Sequence, residues 1–317
     1  MTRRELVQAA IGHRTADRAP YFLTFCADAH AALVNAGVMR EQELDAFIDN
    51  DVQDIGVPWW NWYQLGADWA GPDAPISPAT TIGYGSYEGL ADRVKALRDQ
   101  SDKYFLVRIY GSHFEKAYFS RSIENFLADM AGEPEFARKL LTTIIDKNMV
   151  MLDNFLAVAE IDGVLLGSDW GSQRGLLMAP DCWEEMIRPG EQREYDLIHS
   201  YGKDVWVHSC GNIVDIIPSL VEMGLDVLNP IQPEAMDVRR LKAEHGDRLT
   251  FWGGLSTQQT LPFGTPADVK AEARELIATM GRDGGYIFSA AQDIQGDVPV
   301  ANILALLEAA RDQTVSV

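Results

Sequence analysis

The sequence predicts an α/β fold of the (β/α)8-barrel type, a TIM barrel, with its active site at the carboxyl ends of the strands. Three observations point there. Short apolar runs rich in β-branched and aromatic residues alternate with helical stretches along all 317 residues, and such alternation means parallel strands joined by crossovers. The runs number eight, the count that favours a closed barrel over an open sheet. No Gly-x-Gly-x-x-Gly and no Gly-rich Walker loop follows any of them, as an open nucleotide-binding sheet would show.

The predicted strands lie at 20–25, 52–57, 104–109, 163–167, 204–208, 226–229, 249–252 and 285–288. Helical patterns fall between them at 27–36, 90–99, 135–160, 181–201, 214–223, 238–245 and 267–280, and 301–311 closes the chain. Pro134, Pro180 and Pro266 each stand at a first helical turn, where a missing N–H costs nothing. The stretch 59–90 carries Pro72, Pro75, Pro78, Gly83, Gly85 and Gly89. That is too many breakers for a helix and too much chain for a plain loop, so an excursion such as a hairpin over the barrel mouth is expected. With no low-complexity linker and no internal repeat, residues 1–317 read as one barrel domain.

Apolar residues make up 47% of the chain, enough for a large core. Twenty-seven basic against 47 acidic residues give a formal charge of -20, which repels phosphate backbones and anionic lipid and argues against nucleic acid and membrane as partners. No apolar run approaches the roughly 18 residues that span a bilayer, and the N-terminus reads as an amphipathic helix rather than a signal peptide. Cys26, Cys182 and Cys210 form no recognisable pairs, as expected of a cytoplasmic protein in a reducing compartment.

Barrel enzymes build their sites from the segments after the strands. Here those segments collect titratable, aromatic and amide groups: Cys26 and Asp28 after the first, Trp59, Trp60, Asn61, Trp62 and Tyr63 after the second, Tyr110 and His113 after the third. Asp169, Trp170 and Gln173 follow the fourth, Cys210 and Asn212 the fifth, which ends on His208. Asn229 closes the sixth, with Gln232 beyond it; Trp252 closes the seventh, and Gln292 and Asp293 follow the eighth. His208 and Cys210 stand two apart, so an extended strand end sends both side chains to one face. Imidazole with thiolate suits zinc. Two ligands are not yet a site, and a buried histidine beside a cysteine is also ordinary core packing.

The motif Val205-Trp206-Val207-His208-Ser209-Cys210-Gly211-Asn212, with the segment 167–175 before it and 285–303 at the end, resembles the uroporphyrinogen decarboxylase superfamily. The resemblance implies a (β/α)8 barrel, often a homodimer. It also implies one of two chemistries: cofactor-free decarboxylation of a tetrapyrrole, or zinc-dependent methyl transfer between a corrinoid protein and a thiol. The decarboxylases carry arginines just after the first strand to grip substrate carboxylates, and this chain has none between Phe25 and His30. The methyltransferase branch fits better, because its zinc ligands include a His-x-Cys at this strand end. Its third ligand, a cysteine after the last strand, is replaced here by Gln292. The amide oxygen is a harder, weaker donor, and Asp293, Asp169 or Cys26 are the alternatives.

The expected function is therefore a metal-assisted methyltransferase acting on a small molecule, with a methylated corrinoid protein as donor or acceptor. The rival is a decarboxylase or other lyase of a small aromatic or hydroxy acid. His208, Cys210 and Gln292 are the expected metal ligands, and Asp169 and His113 the expected catalytic groups. Trp59, Trp60, Trp170 and Trp252 form an expected aromatic wall, with Gln173 and Asn229 as neutral hydrogen-bonders to substrate.

Overall fold

The structure, a computed structural model, describes residues 1–62, 65–74, 78–83, 86–109 and 111–313. Tyr63, Pro75, Gly85 and Tyr110 lie outside the described residues. The strands are β1 (Val52–Ile55), β2 (Pro58–Asn61), β3 (Thr80–Gly83), β4 (Tyr104–Ile109), β5 (Gly163–Gly167), β6 (Gly171–Ser172), β7 (Gly175–Leu176), β8 (Asp204–His208), β9 (Val227–Ile231), β10 (Thr250–Leu255) and β11 (Tyr286–Ala290). The helices are α1 (Arg3–Ile11), α2 (Ala27–Asn35), α3 (Leu44–Ile48), α4 (Leu90–Arg98), α5 (His113–Arg121), α6 (Ile123–Gly132), α7 (Pro134–Leu156), α8 (Pro180–Met186), α9 (Arg188–Ser200), α10 (Ile217–Glu222), α11 (Val238–His245), α12 (Thr260–Phe263), α13 (Pro266–Met280) and α14 (Val300–Arg311). Among the described residues no helix is long and apolar enough to cross a membrane.

The fold is α/β, with a central sheet of seven strands: β1, β4, β5, β8, β9, β10 and β11. The first predicted strand, 20–25, makes only isolated bridges, Tyr21 to Phe288 and Phe25 to Ile294. The reason lies in its other edge. Tyr21 N–H donates to Asp51 Oδ2 at 2.9 Å, and the Asn50 amide both accepts from Leu23 N–H at 2.8 Å and donates to Leu23 O at 2.9 Å. Side chains there satisfy backbone groups that a neighbouring strand would otherwise pair. The predicted helix 181–201 is two helices, because Pro189 opens α9 and the chain breaks at Ile187. The expected excursion contains an antiparallel hairpin of β2 and β3, pairing Pro58 with Gly83 and Asn61 with Thr80.

The chain divides into two compact units: Met1–Gln53 with Asp102–Tyr104 and Asp226–Val317, and Asp54–Ser101 with Phe105–Leu225. In the first, β10 pairs in parallel with both β9 and β11. In the second, β5 lies in parallel between β4 and β8, with Gly167 opposite His208 at the carboxyl end. In that second unit Val164, Leu166, Val205 and Val207 are all buried. The apolar face of α7 (Leu140, Ile144, Met151, Phe155) is buried as its 3.6-residue spacing requires.

A buried ion pair fixes where β4 and β5 begin. Asp162 accepts from the Arg98 guanidinium at 2.7 Å and from Phe105 N–H at 2.8 Å, while Arg98 lies 3.7 Å over the Phe105 ring. Asp162→Ala leaves the half-buried Arg98 guanidinium without its carboxylate, with Glu160 O still accepting from it, and removes the side-chain acceptor of the buried Phe105 N–H. The variant should lose about 3 kcal/mol, read from the shift in its urea unfolding midpoint.

Candidate active site

The carboxyl ends of β5 and β8 stand side by side, and the segments beyond them are stitched together. Ser168 N–H donates to His208 O at 2.8 Å, and Asn212 N–H donates to Ser172 O at 2.7 Å. Trp170 N–H donates to Ser209 Oγ at 3.1 Å. The approach is so close that a Cβ on Gly171 would meet Cys210 O at 2.6 Å, and one on Gly211 would meet Ser172 O at the same distance. Gly211 also has φ +83°, a left-handed conformation that side chains resist. Glycine is required at both positions.

This stitching gathers Asp169, His208 and Cys210. His208 Nε2 lies 3.2 Å from Cys210 Sγ and 3.7 Å from Asp169 Oδ1, and Cys210 N–H donates to that same oxygen at 2.8 Å. One donor atom from each residue falls within 4.8 Å of the other two, and all three residues are half-buried. The two-residue spacing of His208 and Cys210 therefore does place both side chains together. Asp169 joins them through the neighbouring strand.

His113 lies elsewhere, in a second, fully buried polar cluster of the same unit. Its Nδ1 sits 3.0 Å from Glu191 Oε1, to which Ser112 Oγ also donates at 2.7 Å. Glu194 accepts from Asn148 Nδ2 at 2.7 Å. The buried Lys116 ammonium donates to Gly111 O and lies beneath the rings of Trp59 and Trp60. Burial pushes the Lys116 ammonium below its ordinary range against the pull of Glu194, Glu115 and Glu191, and burial with the Glu191 charge pushes Glu194 up. Glu115 bridges the two clusters. Its Oε2 would lie 3.0 Å from a Cβ on Gly167, Tyr118 OH donates to Oε1 at 3.0 Å, and burial with the charge of Asp169 raises its carboxyl to about 7. Glu115, Lys116, Glu191 and Glu194 were not singled out from the sequence. The signals were present: a His-x-Glu-Lys run directly after a strand, and glutamates three apart behind a Pro-Gly pair.

Trp170 is fully buried, edge-on to Trp183 at 5.4 Å, so its ring is a packing element rather than an open wall. Trp252 is stacked on Phe22 at 4.8 Å and donates Nε1–H to Phe22 O at 2.9 Å, again inside the core. Trp59 and Trp60 line a cavity of about 500 Å3 with Tyr87, Lys147 and Met151, and none of Asp169, His208 and Cys210 lines it. Gln173 is exposed in the turn between β6 and β7. Asn229 is buried and donates to Trp252 O at 3.1 Å. Gln292, half-buried, follows β11 in the first unit. Within the second unit, Asp169, His208 and Cys210 are the histidine, cysteine and carboxylate donors that stand together in this site.

Two outcomes follow from this geometry. Gly211→Ala must both adopt a left-handed φ and push the segment at 171–172 away, and should lower stability by about 1–3 kcal/mol in urea unfolding. Glu115, with a carboxyl near 7 in the folded chain against an ordinary 4.5, holds its proton better folded than unfolded. Its contribution is therefore greatest at low pH and is lost as pH rises from about 4.5 through about 7. Glu115→Gln should flatten that slope, measured by urea unfolding across the range.

Four similarities relate the chain to known proteins. The family profile described as Uroporphyrinogen decarboxylase (URO-D) matches residues 86–313. Uroporphyrinogen decarboxylase of Chlorobium luteolum is 24% identical over 194 residues, covering 58% of this chain and 51% of that protein. The same enzyme of Actinobacillus succinogenes is 22% identical over 192 residues, with 58% and 50% covered. The chain thus spans about half the length of the curated relatives it matches. Among solved structures, a methyltransferase from Methanosarcina mazei superposes over 98% of both chains with a TM-score of 0.70 at 16% identity. That likeness is one of fold. With a profile match across most of its length, ending a few residues short of the C-terminus, the chain belongs to the uroporphyrinogen decarboxylase family.

Proposed function

We propose that the chain is a metal-assisted methyltransferase acting on a small molecule, built as a closed barrel, with zinc held by His208, Cys210 and Asp169. The observation that carries this reading is the spacing of the three donors. Zinc bonds of about 2.0–2.3 Å at the tetrahedral angle separate ligand atoms by about 3.3–3.7 Å. The His208–Cys210 and His208–Asp169 separations are 3.2 and 3.7 Å. Sulfur, nitrogen and carboxylate oxygen form a donor set suited to zinc, with a fourth position left for substrate.

A zinc ion there would supply Lewis acidity, lowering the pKa of a thiol or similar acceptor so that it attacks an electrophilic methyl group. The chain's own residues set the stage. Cys210 N–H holds Asp169 Oδ1 in place, and the Gly171–Gly211 contact keeps both strand ends in register. Glu115, raised to about 7 beside Asp169, is placed to hold or release a proton near neutrality. The methyl donor is a methylated corrinoid protein or a methylated small molecule, the former in keeping with the branch that the His-x-Cys motif resembles. A lyase is the second reading, favoured by the decarboxylase names of the sequence relatives.

Protein purified without chelator should hold about one zinc per chain. His208→Ala and Cys210→Ala should each lose it while keeping the folded circular dichroism spectrum. Metal analysis that finds less than about a tenth of an equivalent after zinc supplementation overturns the reading. Turnover that survives a strong chelator would favour the lyase.

A further inference from the structure

Helices α5 and α9 meet over a polar core that is closed to solvent. His113 opens α5, and Glu191 and Glu194 stand three apart on one face of α9. None of the three side chains is exposed. One ring nitrogen of His113 and one oxygen from each glutamate lie within 4.8 Å of one another, and Nδ1 is 3.0 Å from Glu191 Oε1.

Hydrogen bonds do not satisfy this core. Ser112 Oγ donates to Glu191 Oε1, and Asn148 Nδ2 donates to Glu194 Oε1, each at 2.7 Å. The other oxygens, Glu191 Oε2 and Glu194 Oε2, have no partner at hydrogen-bonding distance, and neither have Asn148 Oδ1 and the Tyr195 hydroxyl. A buried polar atom left so costs about 1–3 kcal/mol. Four in one place call for another group to answer them.

Charge makes the same demand. The carboxylates of Glu115, Glu191 and Glu194 act on one buried ammonium, that of Lys116, which donates to Gly111 O beneath Trp59 and Trp60. With all four ionised, negative charge exceeds positive by the charge of one divalent cation, and buried carboxylates stabilise a fold only when neutralised. Two carboxylates and an imidazole, without sulfur, suit a hard-to-borderline ion such as Mn2+. Bonds of about 2.0–2.2 Å set neighbouring octahedral ligands about 2.8–3.1 Å apart, and the His113–Glu191 separation of 3.0 Å matches. Bonded this closely, an ion fills the interval among its donors and requires no separate cavity.

We propose that His113, Glu191 and Glu194 bind one Mn2+ ion, a structural site tying α5 to α9. His113 coordinates through Nδ1, with its ring proton on Nε2, and each glutamate through one oxygen. Because the donors are fully buried, the ion enters as the chain folds. The site shares no ligand with Asp169, His208 and Cys210, so either can fail alone.

The test is Mn2+ uptake by the full-length His208→Ala chain, in which the only imidazole at the zinc position is gone. The metal-free protein is refolded from urea with Mn2+, cleared of unbound ion by gel filtration, and read by metal analysis and electron paramagnetic resonance. About one Mn2+ per chain should remain, and it should raise the urea unfolding midpoint. Adding the near-isosteric Glu194→Gln should weaken Mn2+ at least about tenfold, since even partners behind a metal ligand are worth that much. Should the double variant not fold, electron spin echo modulation from a directly bonded imidazole nitrogen in the His208→Ala chain decides the matter. Less than about a tenth of an equivalent of Mn2+ in the refolded chain, affinity unchanged by Glu194→Gln, or bound Mn2+ without nitrogen coupling would each overturn the proposal.

Discussion

The contact between Gly171 and Gly211 is the constraint on which the site depends. Two backbone segments approach until a single methyl group on either would collide at 2.6 Å. Only at that distance does Asn212 N–H reach Ser172 O and Cys210 N–H reach Asp169 Oδ1. His208 and Cys210 would share a face on any extended strand end. The Asp169 carboxylate joins them from beyond the next strand, and it arrives because both segments lack a Cβ where they cross.

Below that crossing the second unit carries an unusual load of buried charge. Glu191 and Glu194 on α9 face His113 and Lys116 on α5, all four without exposure. Carboxylates and cations removed from water stabilise a fold only where polar partners answer them; here Glu191 lies against His113 Nδ1 and accepts from Ser112 Oγ, Glu194 accepts from the Asn148 amide, and the Lys116 ammonium donates to Gly111 O. Such an arrangement fixes α5 and α9 in one mutual position, since any sliding would part the pairs. The helices can then hold Glu115 against Gly167 on one side and pack the His113 ring against Gly190 on the other.

The family supports this division between scaffold and chemistry. Relatives named for decarboxylation match the chain over about half their length, and a methyltransferase shares its fold over nearly all of both chains. One architecture thus accompanies more than one reaction, as is common where function resides in the segments after the strands. This chain's own feature is a group in which a half-buried carboxylate stands with an imidazole and a thiol.

The sequence by itself determined the alternation of strands and helices, most element bounds and the pairing of His208 with Cys210. These are local matters, fixed by side-chain period, proline position and two-residue spacing. The segment at 20–25 reads as a strand, and the structure gives it isolated parallel bridges on one edge while the Asn50 and Asp51 side chains take the place of a neighbour on the other. Nothing in the sequence hinted that Trp170 and Trp252 would be buried packing rings, because a tryptophan after a strand looks the same whether it faces a ligand or another ring. Only the tertiary structure set Asp169 beside Cys210 and turned the charged residues of α5 and α9 inward. A glutamate on a helix ordinarily means a solvated face, and its burial depends on which cation the fold brings opposite, a long-range contact that no local pattern records.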